Sequence, residues 1–291
     1  MATAPRYPMI PNPTLKRLRQ GKLALGFCPF HLRSVSAAML GVTMGYDWLF
    51  IDAEHGAFTT QEVSQMCLAA LPLGITPIVR VCTDALDEGT RALDNGAMGL
   101  VIPHVDTPAM AKRVAEAFRF PPLGMRSWGA PPAAFYYGGP PMGEAQKILN
   151  KENLICAMIE TEEAVANVDE IAKVKGIDVL MIGTSDLTST MGIPGQWGHA
   201  KIQAAYEKVG AACKKNGLLL GTGGVGDDKW MGHYMQRGAL MVLAGSDHGM
   251  IVGAGTARAE ALRALEGTPA AAAKTARAPA KAAAKVAKKK G

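Results

Sequence analysis

The sequence has little of several residue types, and each shortage narrows the class of protein. Only 6% of the 291 residues are aromatic, so the core must consist mainly of smaller aliphatic side chains. Five cysteines are an odd number and form no Cys-x-x-Cys pair, which argues against a disulfide framework and a zinc knuckle. No apolar run is long enough to span a membrane, and the N-terminus lacks the order of a signal peptide. We therefore expect a protein of the reducing cytoplasm.

Acidic residues are missing from the last part of the chain. None follows Glu266, whereas residues 268–291 contain seven Lys and Arg residues. Without these seven, 24 basic residues face 25 acidic ones, so the pI of about 9.0 describes this tail and not the body of the protein. The composition predicts a folded domain over residues 1–267 and a disordered basic tail over 268–291. It does not indicate specific binding to nucleic acid.

What the sequence does contain is a regular alternation of short apolar runs and helical patterns. The runs predict eight strands, near Leu23–Cys28, Trp48–Asp52, Pro77–Val81, Gly99–Ile102, Leu154–Ile159, Val179–Ile182, Leu218–Gly221 and Leu240–Leu243. Their nearly continuous hydrophobicity is typical of parallel strands covered on both faces. Eight such units in about 250 residues predict an α/β fold, a (β/α)8 TIM barrel. A doubly wound sheet is the alternative.

Helical stretches lie between these runs, and one long segment interrupts them. Thr107 and Thr161 are candidate N-caps, because each directly precedes a helical pattern. The segment Pro121–Asn150 is rich in Pro, Gly and Tyr and shows no strand pattern. Three interpretations of it remain open, namely a cover for an active site, a subunit contact and a passive surface insertion.

Polar side chains fall at the carboxyl ends of the predicted strands. The second strand is followed by Asp52-Ala53-Glu54-His55, the third ends near Arg80, and the fifth ends at Glu160. The sixth strand is followed by Gly183-Thr184-Ser185-Asp186, and the eighth by Ser246-Asp247-His248. In barrel enzymes, catalysis occurs at this end of the strands. The pattern therefore predicts that these residues share one rim of the barrel.

Glu160 and Asp186 are the candidate metal ligands. They are one strand–helix–strand unit apart, and neighbouring parallel strands lie about 4.8 Å apart, so both carboxylates can reach one cation. Ligation by oxygen alone suits Mg²⁺ or Mn²⁺. The alternative is that each carboxylate merely caps the helix that follows it.

His55 and Arg80 are the candidate catalytic residues. His55 follows Asp52 and Glu54, and a nearby carboxylate can orient an imidazole and raise its basicity. Arg80 closes an apolar run and must find an anion there. From the residues alone, a protein carboxylate and a substrate carboxylate are equally good partners for it.

The segment Gly221–Gly226 fits the pattern G-x-G-x-x-G after a strand. Asp247 lies about 20 residues further on, which imitates a dinucleotide fingerprint. Too little chain follows to complete a dinucleotide domain. We therefore interpret the segment as a barrel loop that lets the backbone approach a ligand.

Taken together, six ordered segments resemble the HpcH/HpaI aldolase family, the metal- and pyruvate-dependent class II aldolases. The resemblance covers roughly residues 23–255. The segments are Asp47–His55, Pro77–Arg80, Leu93–Pro103, Phe120–Ser127, Ile159–Thr161 and Ile182–Leu187.

The resemblance implies a barrel, commonly a hexamer or trimer, with a C-terminal helix exchanged between subunits. It assigns Glu160 and Asp186 to a divalent metal ion, Mg²⁺, Mn²⁺ or Co²⁺. It implies that His55 is the general base and is held by Asp52, and that Arg80 binds the oxygens of a 2-oxo acid. The backbone of Gly183, Thr184 and Ser185 would meet the substrate carboxylate.

Three departures from the family pattern bear on the substrate. Met158 stands where the archetypal aldolases often have Gln. The sequence Gly183-Thr184-Ser185-Asp186 stands in place of the usual Gly-Pro-Ala/Ser-Asp. The segment Trp128–Tyr137 is unlike the corresponding segment of the archetype. The expected activity is cleavage of a 4-hydroxy-2-oxo acid to pyruvate, or a close 2-oxo acid, and an aldehyde. The alternatives are an oxaloacetate-type decarboxylase, a CoA-ester lyase, a barrel that has lost catalysis, and a protein that binds polyanions through its tail.

Overall fold

The computed structural model of the protein describes residues 9–266, in which eight parallel strands close into a barrel. Each strand pairs with the next in the chain, and β8 pairs with β1. The strands are β1 (Ala24–Cys28), β2 (Trp48–Asp52), β3 (Thr76–Arg80), β4 (Gly99–Ile102), β5 (Leu154–Ile159), β6 (Val179–Gly183), β7 (Leu219–Gly223) and β8 (Ala239–Ser246). The prediction of a (β/α)8 barrel is therefore confirmed, and each strand lies within two or three residues of its predicted position.

Eleven α-helices are described in this part of the chain. They are α1 (Pro13–Arg19), α2 (Ser36–Met44), α3 (Thr60–Leu73), α4 (Leu86–Asp94), α5 (Pro108–Phe118), α6 (Met142–Glu152), α7 (Glu162–Ile171), α8 (Thr184–Thr190), α9 (Ala200–Asn216), α10 (Asp228–Gln236) and α11 (Asp247–Arg263). Short α8 follows β6 directly and brings its first residues to the carboxyl rim of the barrel.

The barrel interior is packed with large apolar side chains from successive strands. Buried interior residues include Trp48, Phe50, Ile78, Val101, Met158 and Met181. Gly26 on β1 makes room for the Trp48 indole, because a Cβ at Gly26 would lie 2.3 Å from its ring atoms. A close-packed interior of this kind leaves the carboxyl rim as the place for a site.

The long segment between β4 and β5 contains no strand, as expected, but it is not simply a loop. After α5 it forms a 3-10 turn, Ala133–Phe135, and then α6. Phe120, Phe135, Ala145 and Leu149 form a small buried cluster within it, so the segment packs on itself.

The chain divides into two compact units, and the boundary between them in the sequence follows His248. The first unit contains the barrel. In the second, α11 continues from Gly249 to Arg263 and a turn follows it to Glu266. The large apolar side chains Ile251, Val252, Leu262 and Leu265 of these residues are exposed. Within residues 9–266, no helix combines the length and the apolar character that crossing a membrane requires. The predicted tail, residues 268–291, lies outside the described residues.

Candidate active site

Arg80 and Asp52 form a buried ion pair at the carboxyl ends of β3 and β2. The strand register places the two residues side by side. Arg80 Nε donates to Asp52 Oδ1 at 2.8 Å and Nη2 donates to Oδ2 at 2.5 Å, while Nη1 lies 3.2 Å from Glu54 Oε2. The guanidinium therefore has two protein carboxylates as partners, which fixes its plane and its position.

The two groups hold each other in the charged state. Burial by itself would raise the pKa of Asp52, but the hydrogen bonds and charge of Arg80 outweigh it and bring the pKa below its ordinary value of 3.8. Burial likewise acts to lower the pKa of Arg80, and the contacts with Asp52 and Glu54 outweigh it and raise the pKa. Both groups are ionised at neutral pH.

His55 lies at the cavity, but Asp52 does not hold its ring as predicted. Asp52 Oδ1 accepts the backbone N–H of His55 at 3.2 Å, and its carboxylate is otherwise engaged by Arg80 and by the backbone N–H of Glu54. The imidazole Nε2 lies 3.9 Å from Glu54 Oε2, and 64% of the side chain is exposed. Asp52 thus positions the turn that carries His55, and Glu54 is the carboxylate near the ring.

Glu160, at the end of β5, is almost fully buried and has one oxygen without a partner. Its Oε1 accepts the backbone N–H of His104 at 2.7 Å and lies 3.3 Å from His104 Nδ1. Its Oε2 is buried and has no hydrogen-bond partner. Burial raises the pKa of Glu160; the contacts with His104 oppose this effect, whereas the charge of Asp186 adds to it. Burying a carboxylate oxygen without a hydrogen-bond donor costs free energy unless a cation binds to it.

Gly183 provides the space in which this oxygen lies. A Cβ at Gly183 would be 2.3 Å from Glu160 Oε2 and 2.8 Å from Met158 Cε. The φ of Gly183 is −82°, which any residue can adopt. Glycine is required here because Glu160 Oε2 lies so close to the backbone. Gly183 opens onto the same cavity as Ser185 and Asp186.

The predicted carboxylate-binding turn is only partly placed at the cavity. Gly183 and Ser185 line it, and Ser185 Oγ donates to the carbonyl of Gly224 at 2.9 Å. Thr184 does not line it: its side chain is buried, and its hydroxyl lies 2.7 Å from the Tyr206 hydroxyl. The expected substrate contact of Thr184 therefore cannot come from its side chain.

The side chains fit a hard divalent cation. Among residues 9–266 no three His, Cys, Asp or Glu side chains cluster as a complete ligand set. Mg²⁺ and Mn²⁺ do not need one, because they often bind one or two carboxylates and complete their coordination with water and substrate oxygens. Glu160 offers its unpartnered oxygen in this way, and Asp186 lines the adjoining cavity.

A cavity of about 660 Å³ lies beside Glu160, and its lining includes Met158, Gly183 and Asp186. Asp52, His55, Arg80, Asp186 and Asp228 are the charged or imidazole side chains that line it. The remaining walls are largely apolar and include Phe30, Trp197, Met231, Met235 and Leu243. The volume is within the range of small-molecule sites.

The glycine-rich segment after β7 contributes backbone to this cavity. Gly223, Gly224, Val225 and Gly226 line it. Gly224 has φ +73°, and a Cβ there would lie 2.6 Å from Ser185 Oγ, so the loop packs tightly on the start of α8. Asp247 is buried and accepts the backbone N–H groups of Phe30, His31 and Leu32 at 2.8, 2.7 and 2.6 Å. It is not free to bind a ribose, so the dinucleotide resemblance is coincidental.

One residue of the site was not predicted from the sequence. His104 follows β4, contacts Glu160 and has φ +49°, a conformation that is uncommon for residues other than glycine. Its only sequence signal is that it follows the end of a barrel strand, after Pro103.

Comparison with known proteins shows the family of this chain. Residues 30–254 match the model of the HpcH/HpaI aldolase/citrate lyase family. The chain belongs to this family. The predicted membership is confirmed, and at the level of the family the predicted aldolase activity is confirmed as well.

Two relatives within the family illustrate its chemistry. The chain is 35% identical over 217 residues to the 4-hydroxy-4-methyl-2-oxoglutarate aldolase cghB of Chaetomium globosum, covering 74% of this chain and 80% of that protein. It is 36% identical over 218 residues to the 2-keto-3-deoxy-L-rhamnonate aldolase of Escherichia coli strain K12, covering 72% and 80%.

Solved structures of the family share the fold. An HpcH/HpaI aldolase from Desulfitobacterium hafniense superimposes with a TM-score of 0.78 at 29% identity, covering 88% of this chain and 97% of that one. Macrophomate synthase superimposes with a TM-score of 0.69 at 26% identity, covering 90% and 96%.

Proposed function

We propose that this protein is a divalent-metal-dependent aldolase that cleaves a 4-hydroxy-2-oxo acid to pyruvate, or a close 2-oxo acid, and an aldehyde. The observation that carries the proposal is the buried, unpartnered Oε2 of Glu160, which lies against Gly183 close to Asp186 and Arg80. The names of the two relatives support the substrate class, since both are aldolases of 2-oxo acids.

Glu160 and Asp186 hold the cation in this proposal. Mg²⁺, Mn²⁺ and Co²⁺ are the candidates, with the first two favoured by ligands that are all oxygen. A divalent cation supplies Lewis acidity, which draws electron density from a keto oxygen and favours formation of an enolate. Met158, which stands two residues before Glu160 and lines the cavity, offers only a thioether and adds no hard ligand.

Arg80 binds the oxygen on which negative charge develops during cleavage. Asp52 and Glu54 fix its guanidinium before substrate arrives, so no reorganisation is needed when the charge appears. Among the described residues that line the cavity, it is the one Lys or Arg side chain. This single cation suits a small carboxylate substrate better than the phosphate groups of a CoA ester.

His55 moves the proton of the reaction. In the direction of cleavage its imidazole accepts the proton of the C4 hydroxyl, directly or through a water molecule, as the C3–C4 bond breaks and the aldehyde leaves. The ring is exposed to the cavity and Glu54 lies near it, so the conjugate acid has an anionic neighbour. Backbone groups of Gly183, Thr184 and Ser185 bind the substrate carboxylate.

Exchange of the pyruvate methyl protons in D₂O, followed by NMR, tests the proposal before any aldehyde is known. We expect wild-type exchange to depend on added Mg²⁺ or Mn²⁺, and Glu160→Gln or Asp186→Asn to slow it by about 100-fold or more. Glu163→Gln, which changes an exposed glutamate on α7, is the matched control and should exchange normally. Metal-independent exchange, or full exchange in Glu160→Gln, contradicts the proposal. Rapid turnover of oxaloacetate or of a CoA ester, with no aldol cleavage, would support one of the two alternative reactions.

We also propose a cytoplasmic homo-oligomer, a hexamer or a trimer, in which the C-terminal helix is exchanged between subunits. The exposed apolar side chains of α11 support this assembly, because a helix with Ile251, Val252 and Leu262 in water gains from being covered. The five cysteines, all within the described residues, are free, which fits a reducing compartment.

A further inference from the structure

His104 contacts Glu160 through two different groups. Its backbone N–H donates to Oε1 at 2.7 Å, and its ring nitrogen Nδ1 lies 3.3 Å from the same oxygen. About half of the imidazole is exposed, whereas only 1% of the Glu160 side chain is. Both contacts fall on Oε1, and Oε2 is left with no partner. The two oxygens of one carboxylate therefore have different environments.

The backbone at His104 is held in a conformation that the residue does not favour. Its φ is +49°, in the left-handed region, which residues other than glycine, asparagine and aspartate rarely adopt. Strain of this kind persists where the surroundings over-determine it, and it is common at functional sites. In this strained conformation, the backbone N–H and the ring nitrogen Nδ1 of His104 both contact Oε1 of Glu160.

The turn around His104 is tied to the strand that carries Glu160. The N–H of Val105 donates to the carbonyl of Met158 at 3.2 Å, and the Thr161 hydroxyl donates to Asp106 Oδ1 at 2.6 Å. These bonds lie on either side of Glu160 in the sequence. The turn and the end of β5 therefore form one rigid unit.

We infer that His104 is a positioning residue, which occupies Oε1 of Glu160 so that Oε2 alone is presented to the cation. The inference rests on the proposed function, because it requires Glu160 to be a metal ligand. His104 acts through Glu160 and is not assigned a contact with the substrate. Its backbone fixes the carboxylate, and its ring keeps that carboxylate from rotating.

Substitutions at this position separate the ring from the backbone. His104→Gly removes the imidazole but keeps the N–H donor, and it relieves the left-handed strain. His104→Asn tolerates the same backbone conformation and keeps a polar side chain. Tyr137→Gly is the matched control, because Tyr137 is exposed and has φ +60°.

The experiment measures Mn²⁺ binding by the EPR signal of the free ion, alongside urea unfolding and kinetics. We expect His104→Gly to be at least as stable as the wild type and to bind Mn²⁺ about tenfold more weakly, with His104→Asn in between. The Mn²⁺ concentration for half-maximal activity should rise in parallel, while kcat at saturating Mn²⁺ stays within about threefold. Tyr137→Gly should gain stability without a change in Mn²⁺ affinity.

Glu160→Gln separates the two possible failures. If this variant loses Mn²⁺ binding and His104→Gly still binds within twofold of the wild type, the role of His104 is wrong and the metal site stands. If Glu160→Gln binds Mn²⁺ like the wild type, the metal site itself is wrong, and the role of His104 falls with it. A loss of affinity in His104→Gly together with a large loss of stability would show a structural role instead and overturn the inference.

Discussion

The cluster of Asp52, Glu54 and Arg80 concentrates three charges in a small, largely buried volume. Arg80 and Asp52 are 9% and 3% exposed, and each has the other as its principal partner. A buried pair adds little stability beyond what apolar residues would give, but loss of one member leaves an uncompensated charge. The cluster is therefore sensitive to single substitutions.

We predict that Asp52→Asn lowers the free energy of unfolding by about 3–5 kcal/mol, measured by urea denaturation at pH 7. Asp87→Asn is the matched control. It removes one partner of the exposed pair Arg91–Asp87 on α4, which should be worth less than about 1 kcal/mol. Equal, small effects for both variants would mean that the buried pair does not hold the site.

The same variant should show a defined pH dependence. The pKa of Asp52 is lowered in the folded state, so its contribution to stability is complete above the ordinary value of 3.8 and is lost as the pH falls through the lowered pKa. We expect the difference between wild type and Asp52→Asn to be constant from about pH 5 to 8 and to shrink only below pH 4. A difference that grew on acidification would contradict the lowered pKa.

At the scale of single residues, the sequence predicted which side chains reach the rim but not where each one points. Asp52, His55, Arg80 and Asp186 all line the cavity, because strand ends determine their position. The partners of Asp52 and the burial of Thr184 depend on side-chain orientation and on residues distant in sequence. The Tyr206 hydroxyl, which forms a hydrogen bond with the Thr184 hydroxyl, is 22 positions away in the sequence, and no local pattern indicates that contact.

The junction between β6 and α8 shows how an element boundary shapes the site. The strand ends at Gly183 and the helix begins at Thr184, with no residue between them. This abrupt change brings Gly183, Ser185 and Asp186 to one wall of the cavity. Only a residue without a side chain fits at the turning point, because Glu160 already occupies the space.

We predict that Gly183→Ala displaces the Glu160 carboxylate and abolishes Mn²⁺ binding, measured by the same EPR titration. Gly210→Ala, in the middle of α9, is the control. A Cβ there meets its nearest neighbour at 3.6 Å, so the change should leave Mn²⁺ binding intact and stabilise the protein by up to about 1 kcal/mol. Normal Mn²⁺ affinity in Gly183→Ala would show that Glu160 has room to move and that its position is not critical.

Helix boundaries were predictable where a side chain forms the cap. Thr107 and Thr161 accept the backbone N–H groups of Met110 and Ala164, as their positions before α5 and α7 indicate. Helix α6 was not predicted. Its N-cap is Pro141, which makes no side-chain cap, and the Pro- and Gly-rich residues before it resemble a loop.

At the scale of the whole molecule, the barrel followed from the sequence because its signal is repeated eight times. Each buried parallel strand is a short apolar run, and errors of two residues at a boundary do not change the count. The division between barrel and tail rests on composition alone. We therefore propose, as a separate point, that residues 268–291 are not needed for catalysis.

Truncation after Gly267 tests this proposal. We predict unchanged kcat and KM for aldol cleavage, because every residue assigned to metal binding, proton transfer or substrate binding lies before residue 187, and every residue that lines the cavity lies before residue 247. Any affinity of the full chain for a polyanion such as heparin should be salt-dependent and should disappear with the seven basic residues of the tail. A tenfold loss of kcat on truncation would place part of the catalytic machinery in the tail.

The seam between β1 and β8 joins the beginning of the barrel to its end. Strand β8 closes the barrel by pairing with β1. The carboxylate of Asp247, directly after β8, accepts hydrogen bonds from three backbone N–H groups of the loop that follows β1. More than 200 residues separate these partners in the sequence. The β1–β8 pairing and the hydrogen bonds of Asp247 therefore form only after residues 239–247 have left the ribosome. Until then both edge strands of the unfinished sheet expose backbone groups to any neighbouring chain. Nascent chains stalled before residue 239 should therefore depend on chaperones far more than chains released a few residues beyond Asp247.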